Sequence, residues 1–197
     1  IFNNSIKKQE KYIWLYEVSS QITSQAFTDL QNSFDNFFKK KSNGKTDENP
    51  IDETQLEFIE KSTNNSERLI SSFNERLDGG LDYSESSLTV LDEEILSLFS
   101  ENKDDMDSGM LEDIIAQAGS YIFEVARRNY GGKYYWYEQL DQPILVTGQP
   151  DFEISILAFE KVKQRIENGT EDNIPFFFAG YSERVKKGKK GDKAMIT

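Results

Sequence analysis

The sequence predicts an α+β fold: an antiparallel helical N-terminal part followed by a helix, a β-hairpin or meander and a C-terminal helix. Three observations carry this. Apolar residues recur at three- and four-residue spacing through most of the chain before Gly131, the period of helices that each bury one stripe. Aromatic and β-branched residues then crowd into two short runs, 133–139 and 143–149, as strands require. Paired glycines, Gly79-Gly80 and Gly131-Gly132, fall where the helical period stops, and glycine readily takes the left-handed conformation that ends many helices.

Each element follows from a local pattern. Ile6, Ile13, Tyr16, Phe27, Leu30, Phe34 and Phe37 occupy the first and fourth places of a seven-residue repeat, which predicts one long helix from Ile6 to about Lys41. Ser20 and Thr23 interrupt that stripe, so packing on neighbouring helices is favoured over an extended coiled coil. The polar stretch 41–50, with Gly44 and Pro50, predicts a loop. Leu56, Ile59, Ile70, Phe73 and Leu77 then predict a second, antiparallel helix, making residues 1–80 a helical hairpin extension.

An α+β domain is expected over 81–185. Asp82, three residues before Glu85, resembles a capping box. Leu88, Leu91, Ile95, Leu98 and Phe99 share the face of a third helix. After an acidic break from Glu101 to Gly109, a fourth helix turns Met110, Leu111, Ile114, Ile115, Ala118, Tyr121, Ile122, Val125 and Ala126 inward. Leu140-Asp141-Gln142 joins the two strands, and a further helix carries Phe159, Val162 and Ile166 and ends at Asn168-Gly169. The apolar run 174–181 (IPFFFAGY) predicts a last strand. Residues 186–197, with Lys186, Lys187, Lys189, Lys190 and Lys193 among glycines, predict a flexible basic tail.

Composition narrows the chemistry. The 197 residues carry a formal net charge of −12, which opposes a general affinity for nucleic-acid phosphates and favours a basic partner. The chain has neither Cys nor His. Disulfides, thiolate chemistry, Ser-His catalysis and the usual zinc ligand sets are thereby excluded. No apolar run reaches the roughly 18 residues of a membrane-spanning helix, so no transmembrane segment is expected. A cytoplasmic location is favoured, while a start at Ile1 leaves room for an upstream signal or anchor. No cofactor is expected.

Several clusters are candidates for a site. Asp104, Asp105 and Asp107, with Glu112 and Asp113, suggest calcium, but aligning Asp105 and Asp107 with the first ligands of an EF-hand loop puts Ala116 where a bidentate Glu must close it. No metal is therefore assigned, and these carboxylates become a candidate surface for a basic partner. Glu124 and Arg128 stand four residues apart on one helix, the spacing of a structural ion pair. Arg127 and Arg128 could equally hold a small anion in bidentate fashion. Strand alternation puts Tyr135 and Tyr137 on one side and Tyr134, Trp136 and Glu138 on the other. Tyr135, Trp136 and Tyr137 are the candidate partner-binding aromatics. Glu124, Glu138 and Glu153 could supply acid and base, although no spacing brings them together.

The segments LDYSESSLTVLDE (81–93), GSYIFEVARRNYGGKYYW (119–136) and AFEKVKQRIENGTED (158–172) together resemble a family of uncharacterised bacterial α+β domains. In that family a helix reading G-x-Y-x-x-E-V-x-R-R, followed by Gly-Gly and Trp, leads into a strand pair; here those positions are Gly119, Tyr121, Glu124, Val125, Arg127, Arg128, Gly131, Gly132 and Trp136. The resemblance covers about residues 81–181. It implies a bacterial origin and an α+β domain, and it transfers no activity.

The expected function is a non-catalytic protein-binding module, for which a toxin-neutralising immunity-type protein is one analogue. The first alternative is a carboxylate-dependent enzyme or small-anion-binding protein using Glu124 and Arg128. The second is a structural protein that self-associates through the helix carrying Phe27, Phe34 and Phe37.

Overall fold

The computed structural model describes residues 50–197. The predicted first helix, the 41–49 part of the predicted loop and the Phe27, Phe34 and Phe37 surface lie outside the described residues. Helix α1 spans Pro50–Phe73. Helix α2 runs through three consecutive segments, α-helical Ser87–Val90, π-helical Leu91–Leu96 and α-helical Ser97–Asn102. The central helix α3 spans Ser108–Tyr130. Strands β1 (Lys133–Tyr137), β2 (Gln142–Thr147) and β3 (Glu153–Ile156) follow, then helices α4 (Ala158–Asn168) and α5 (Ile174–Lys187) and strand β4 (Lys193–Ile196). The α+β class holds.

The sheet has the order β1-β2-β3-β4. The first three strands form an antiparallel meander, with Tyr135 opposite Ile144 and Val146 opposite Ser155. β4 pairs parallel to β3, Ser155 opposite Met195, after the α4–α5 crossover that a parallel pair needs. One face of the sheet packs on the main core through Tyr134, Leu145, Ile154 and Ile156. Phe58, Leu69 and Phe73 of α1 belong to that same core, so one apolar interior extends across residue 80.

Local chemistry sets the helix ends. Asp107 Oδ1 accepts from the Met110 backbone N–H at 2.9 Å and caps α3, satisfying one of the orphan donors of its first turn. Gly131, at φ 72°, donates to the Arg127 carbonyl at 2.8 Å and stops the helix. Gly119 sits mid-helix because a Cβ there would lie 2.1 Å from the Phe159 ring, so its absence lets α4 pack closely on α3.

Four expectations change. The run 174–181 is helix α5, not a strand: Asn173 Oδ1 accepts from Phe176 N at 2.9 Å, Pro175 sits in the first turn, and Ile174, Phe177, Phe178 and Tyr181 face the core at helical spacing. A short apolar run fits either element, and here the cap and the first-turn proline decide. The expected flexible tail of 186–197 is ordered structure, because Leu157 N donates to Ile196 O and Glu153 N to Asp192 O. Asp82 and Glu85 form no capping box: Asp82 accepts from Ser84 N, while Glu85 accepts from Tyr130 Oη and pairs with Lys186. Leu56 is 67% exposed, and the buried stripe of α1 passes instead through Phe58, Ser62, Asn65, Ser66, Leu69 and Phe73.

Candidate functional site

Helix α3 is buried almost all round from Asp113 to Ala126, and four of its polar residues, Asp113, Gln117, Ser120 and Glu124, are buried with it. Their spacing of three and four residues aligns them along one side. Ser62 and Asn65 of α1 reach Ser120 from across that seam. Gln117 Oε1 is buried with no hydrogen-bond partner among the described residues.

Glu124 is fully buried and saturated with donors. Arg127 Nε and Nη2 donate to its two oxygens at 2.9 and 2.8 Å, Arg128 Nε at 3.1 Å and Tyr134 Oη at 3.3 Å. Burial alone would push this carboxyl up, but the hydrogen bonds and charges of Arg127 and Arg128 overcome it and hold the pKa below the ordinary value. A carboxylate so held is a weak proton acceptor near neutrality. The Glu124–Arg128 pair expected from spacing is present, and Arg127 joins it.

Arg128 also sits over Tyr83, its guanidinium carbon 3.6 Å from the ring centroid. Tyr83 has φ 64°, an outlier for a bulky residue that the surroundings must hold in place. They do so from several directions: Tyr83 N donates to Tyr121 Oη at 3.0 Å, Asn129 Nδ2 donates to its carbonyl at 3.1 Å, and its hydroxyl meets Ser66 Oγ at 2.9 Å. The assembly fixes α1, the 81–86 turn and α3 together. Arg127 spends Nε and one Nη2 hydrogen on Glu124 and Arg128 spends Nε, so an incoming anion would meet the remaining guanidinium donors of both, which are partly exposed.

The aromatic strand divides as alternation requires. Tyr134 is 2% exposed and inside the core, and Gln55 pairs with both its backbone groups, at 2.6 Å to the carbonyl and 2.8 Å from the N–H. That side-chain amide stands where a neighbouring strand would pair with the sheet edge. Trp136, on the same face, packs against the main core and donates to Asp141 Oδ1 at 3.1 Å. It does not share a surface with Tyr135 and Tyr137.

On the opposite face Tyr137 packs with Ile144, Val146 and Leu157 in a second apolar cluster separate from the core. Tyr135 and Met195, each 39% exposed, stand on that face too. Asp104 and Asp105 are exposed at the far end of α3, with Asp107 occupied as its cap. Tyr134 packs beside Phe123, so about 25 Å of helix lies between the acidic turn and the aromatic strand. Glu138 is exposed on the β1–β2 turn, and Glu153 pairs with Lys193 at 2.7 Å. These carboxylates do not converge with Glu124.

Sequence reasoning missed the most buried ion pair among the described residues. Asp92, in the π-helical segment, accepts from Arg165 Nε at 2.9 Å and Nη2 at 3.2 Å, from Asn173 Nδ2 at 3.2 Å and from Ile174 N at 2.9 Å. Both charged partners are 1% exposed. Asp92 thereby ties α2 to α4 and helps cap the start of α5. The signal was present: Asp92 adjoins Leu91 and lies four residues after Leu88, and Arg165 lies three after Val162, so opposite charges interrupt two apolar stripes.

Among the described residues, no group of three or more carboxylates is placed to hold a metal ion, and no helix is long and apolar enough to cross a membrane. No protein family, curated protein or solved structure matches the chain.

Proposed function

We propose that the protein is a non-catalytic binding module that docks a protein partner on the outer face of its sheet. The observation that supports this is the exposed pair Tyr135 and Met195 on that face, each 39% exposed and backed by a buried apolar cluster of Ile144, Val146 and Leu157 with the half-buried Tyr137. Tyrosines supply large contact area with few rotatable bonds, and a patch of this kind can anchor an interface. The charge of −12 favours a basic partner, and neutralisation of a basic toxin is the specific form of this reading. Asp104 and Asp105, remote from the sheet, contribute by steering such a partner toward the protein.

Affinity capture from a bacterial lysate and secreted fraction with three baits tests the reading: the wild-type chain, Tyr135→Ala/Tyr137→Ala, and Asp104→Lys/Asp105→Lys. A stoichiometric basic protein should be retained by the first, lost from the second and captured more slowly by the third, with unchanged circular dichroism throughout. Equal retention by the tyrosine variant rejects the sheet face.

A further inference from the structure

A charge imbalance lies where the last turn of α3 meets the turn at 81–86. Arg127 and Arg128 both bond to Glu124, and one oxygen, Oε2, accepts from Arg127 Nη2 at 2.8 Å and from Arg128 Nε at 3.1 Å. Two guanidinium groups are thereby held side by side against one buried carboxylate, and neither forms a salt bridge with a second carboxylate among the described residues. A guanidinium has five N–H donors. Arg127 spends two on Glu124 and Arg128 one, leaving three and four without an acceptor among the described residues. The side chains are 26% and 38% exposed, so a solute can reach these donors. The partial negative charge of the helix C-terminus offsets only part of the surplus.

Both groups are fixed before any ligand arrives. Arg127 grips Glu124 through Nε and Nη2, and the buried Glu124 also accepts from Tyr134 Oη at 3.3 Å. Arg128 is held by its Nε bond and by the Tyr83 ring under it. Tyr83 is in turn kept at φ 64° by its bonds to Tyr121, Asn129 and Ser66, and backbone strain of this kind is found at ligand clamps. A long side chain ordinarily loses rotamer freedom when it grips a ligand, and here folding has already taken up much of that loss.

We propose that Arg127 and Arg128 together form a binding site for a phosphoryl group, free as inorganic phosphate or carried as a phosphomonoester. A carboxylate offers two oxygens in one plane with about four lone-pair sites, fewer than the donors at hand. A phosphoryl group presents three terminal oxygens in a tetrahedral spread and a charge of about −1.5 to −2, which suits two neighbouring guanidinium forks. The net charge of −12 does not oppose this locally, since carboxylates more than about 8 Å away are largely screened at physiological salt. The modest local surplus does limit affinity, and inorganic phosphate should bind with Kd on the order of 1 mM. Glu124 meets Tyr134, on the opposite side of β1 from Tyr135, so the site is independent of a partner docked on the outer sheet face.

Titration of the full chain with inorganic phosphate at fixed ionic strength, followed by NMR of the arginine side-chain Nε–H signals, tests the site. The Arg127 and Arg128 signals should shift along one saturable curve, and chloride at the same ionic strength should move neither. Arg128→Gln leaves the Arg127–Glu124 pair in place and should weaken binding at least about tenfold. Arg128→Lys, which keeps the charge but loses the fork, should recover only part of it. Acetate should bind several-fold more weakly than phosphate. Phenyl phosphate separates the two sources: tighter binding than inorganic phosphate identifies a phosphomonoester as the ligand, and equal or weaker binding the free anion. Wild-type signals that stay unmoved up to about 20 mM phosphate, far above the expected Kd, overturn the proposal without recourse to any variant. So does saturable binding that Arg128→Gln leaves unchanged, or acetate binding as tightly as phosphate.

Discussion

Asp113 is 2% exposed and receives no hydrogen bond among the described residues. Burial pushes its carboxyl up to about 6, against the pull of Arg68 and with Glu112 and Asp107 adding to the rise. The folded state therefore binds the proton more tightly than the unfolded chain, whose value is 3.8. Stability from this group is fully present below the unfolded pKa and is lost as pH rises toward about 6. Replacing Asp113 with Asn should raise stability by about 1–3 kcal/mol at alkaline pH and by almost nothing near pH 4. Urea unfolding at both pH values checks this, and an equal gain at both would exonerate the charge. Asp92 and Arg165 present the opposite case of burial with full pairing. Asp92→Ala should cost about 3–5 kcal/mol because it strands a buried guanidinium, while Asp92→Leu with Arg165→Met should recover much of the loss. A double-mutant cycle in urea measures the coupling.

At the scale of elements, β4 and α5 behave differently from their composition. Lysines and glycines predict a solvated tail, yet the backbone of Lys193–Ile196 pairs along β3 while Ala194 and Ile196 pack against the core. Deleting residues 193–197 should cost roughly 2 kcal/mol in urea unfolding. It should also accelerate amide exchange at Leu157, which loses its acceptor on Ile196; a free tail would leave both unchanged. Strand pairing across the intervening α4–α5 crossover leaves no periodic trace in four residues. The elements legible in advance were those long enough to show a period: α1, α2, α3, α4 and the β1–β2 pair. For α5 the periodic signal was masked by consecutive phenylalanines, whose inward and outward members only the helix separates.

Over the whole molecule, α3 acts as the central post, enclosed by α1, α4 and the sheet. Its burial on nearly every side explains why it carries both apolar and polar inward residues, of which Ser120 meets Ser62 and Asn65 of α1. Because the acidic turn and the aromatic strand lie along different parts of that post, they cannot form one compact patch. For the proposed partner, binding energy is expected from the exposed residues of the sheet face, with the acidic end affecting mainly the association rate and its dependence on salt. The capture comparison between tyrosine and aspartate variants separates those two contributions.

The sequence by itself determined the α+β class, the helical face of α3, the stop at Gly131, the alternation that parts Tyr134 from Tyr135, and the Glu124–Arg128 pair. All of these depend on residues within one or two turns, or one strand length, of each other. Tertiary structure alone decided that Trp136 belongs to the core side, that Asp92 meets Arg165, and that the C-terminal lysines lead into a strand. Those outcomes depend on which distant elements become neighbours. Side-chain periodicity specifies which face an element buries, but the partner on that face emerges only when the whole core packs.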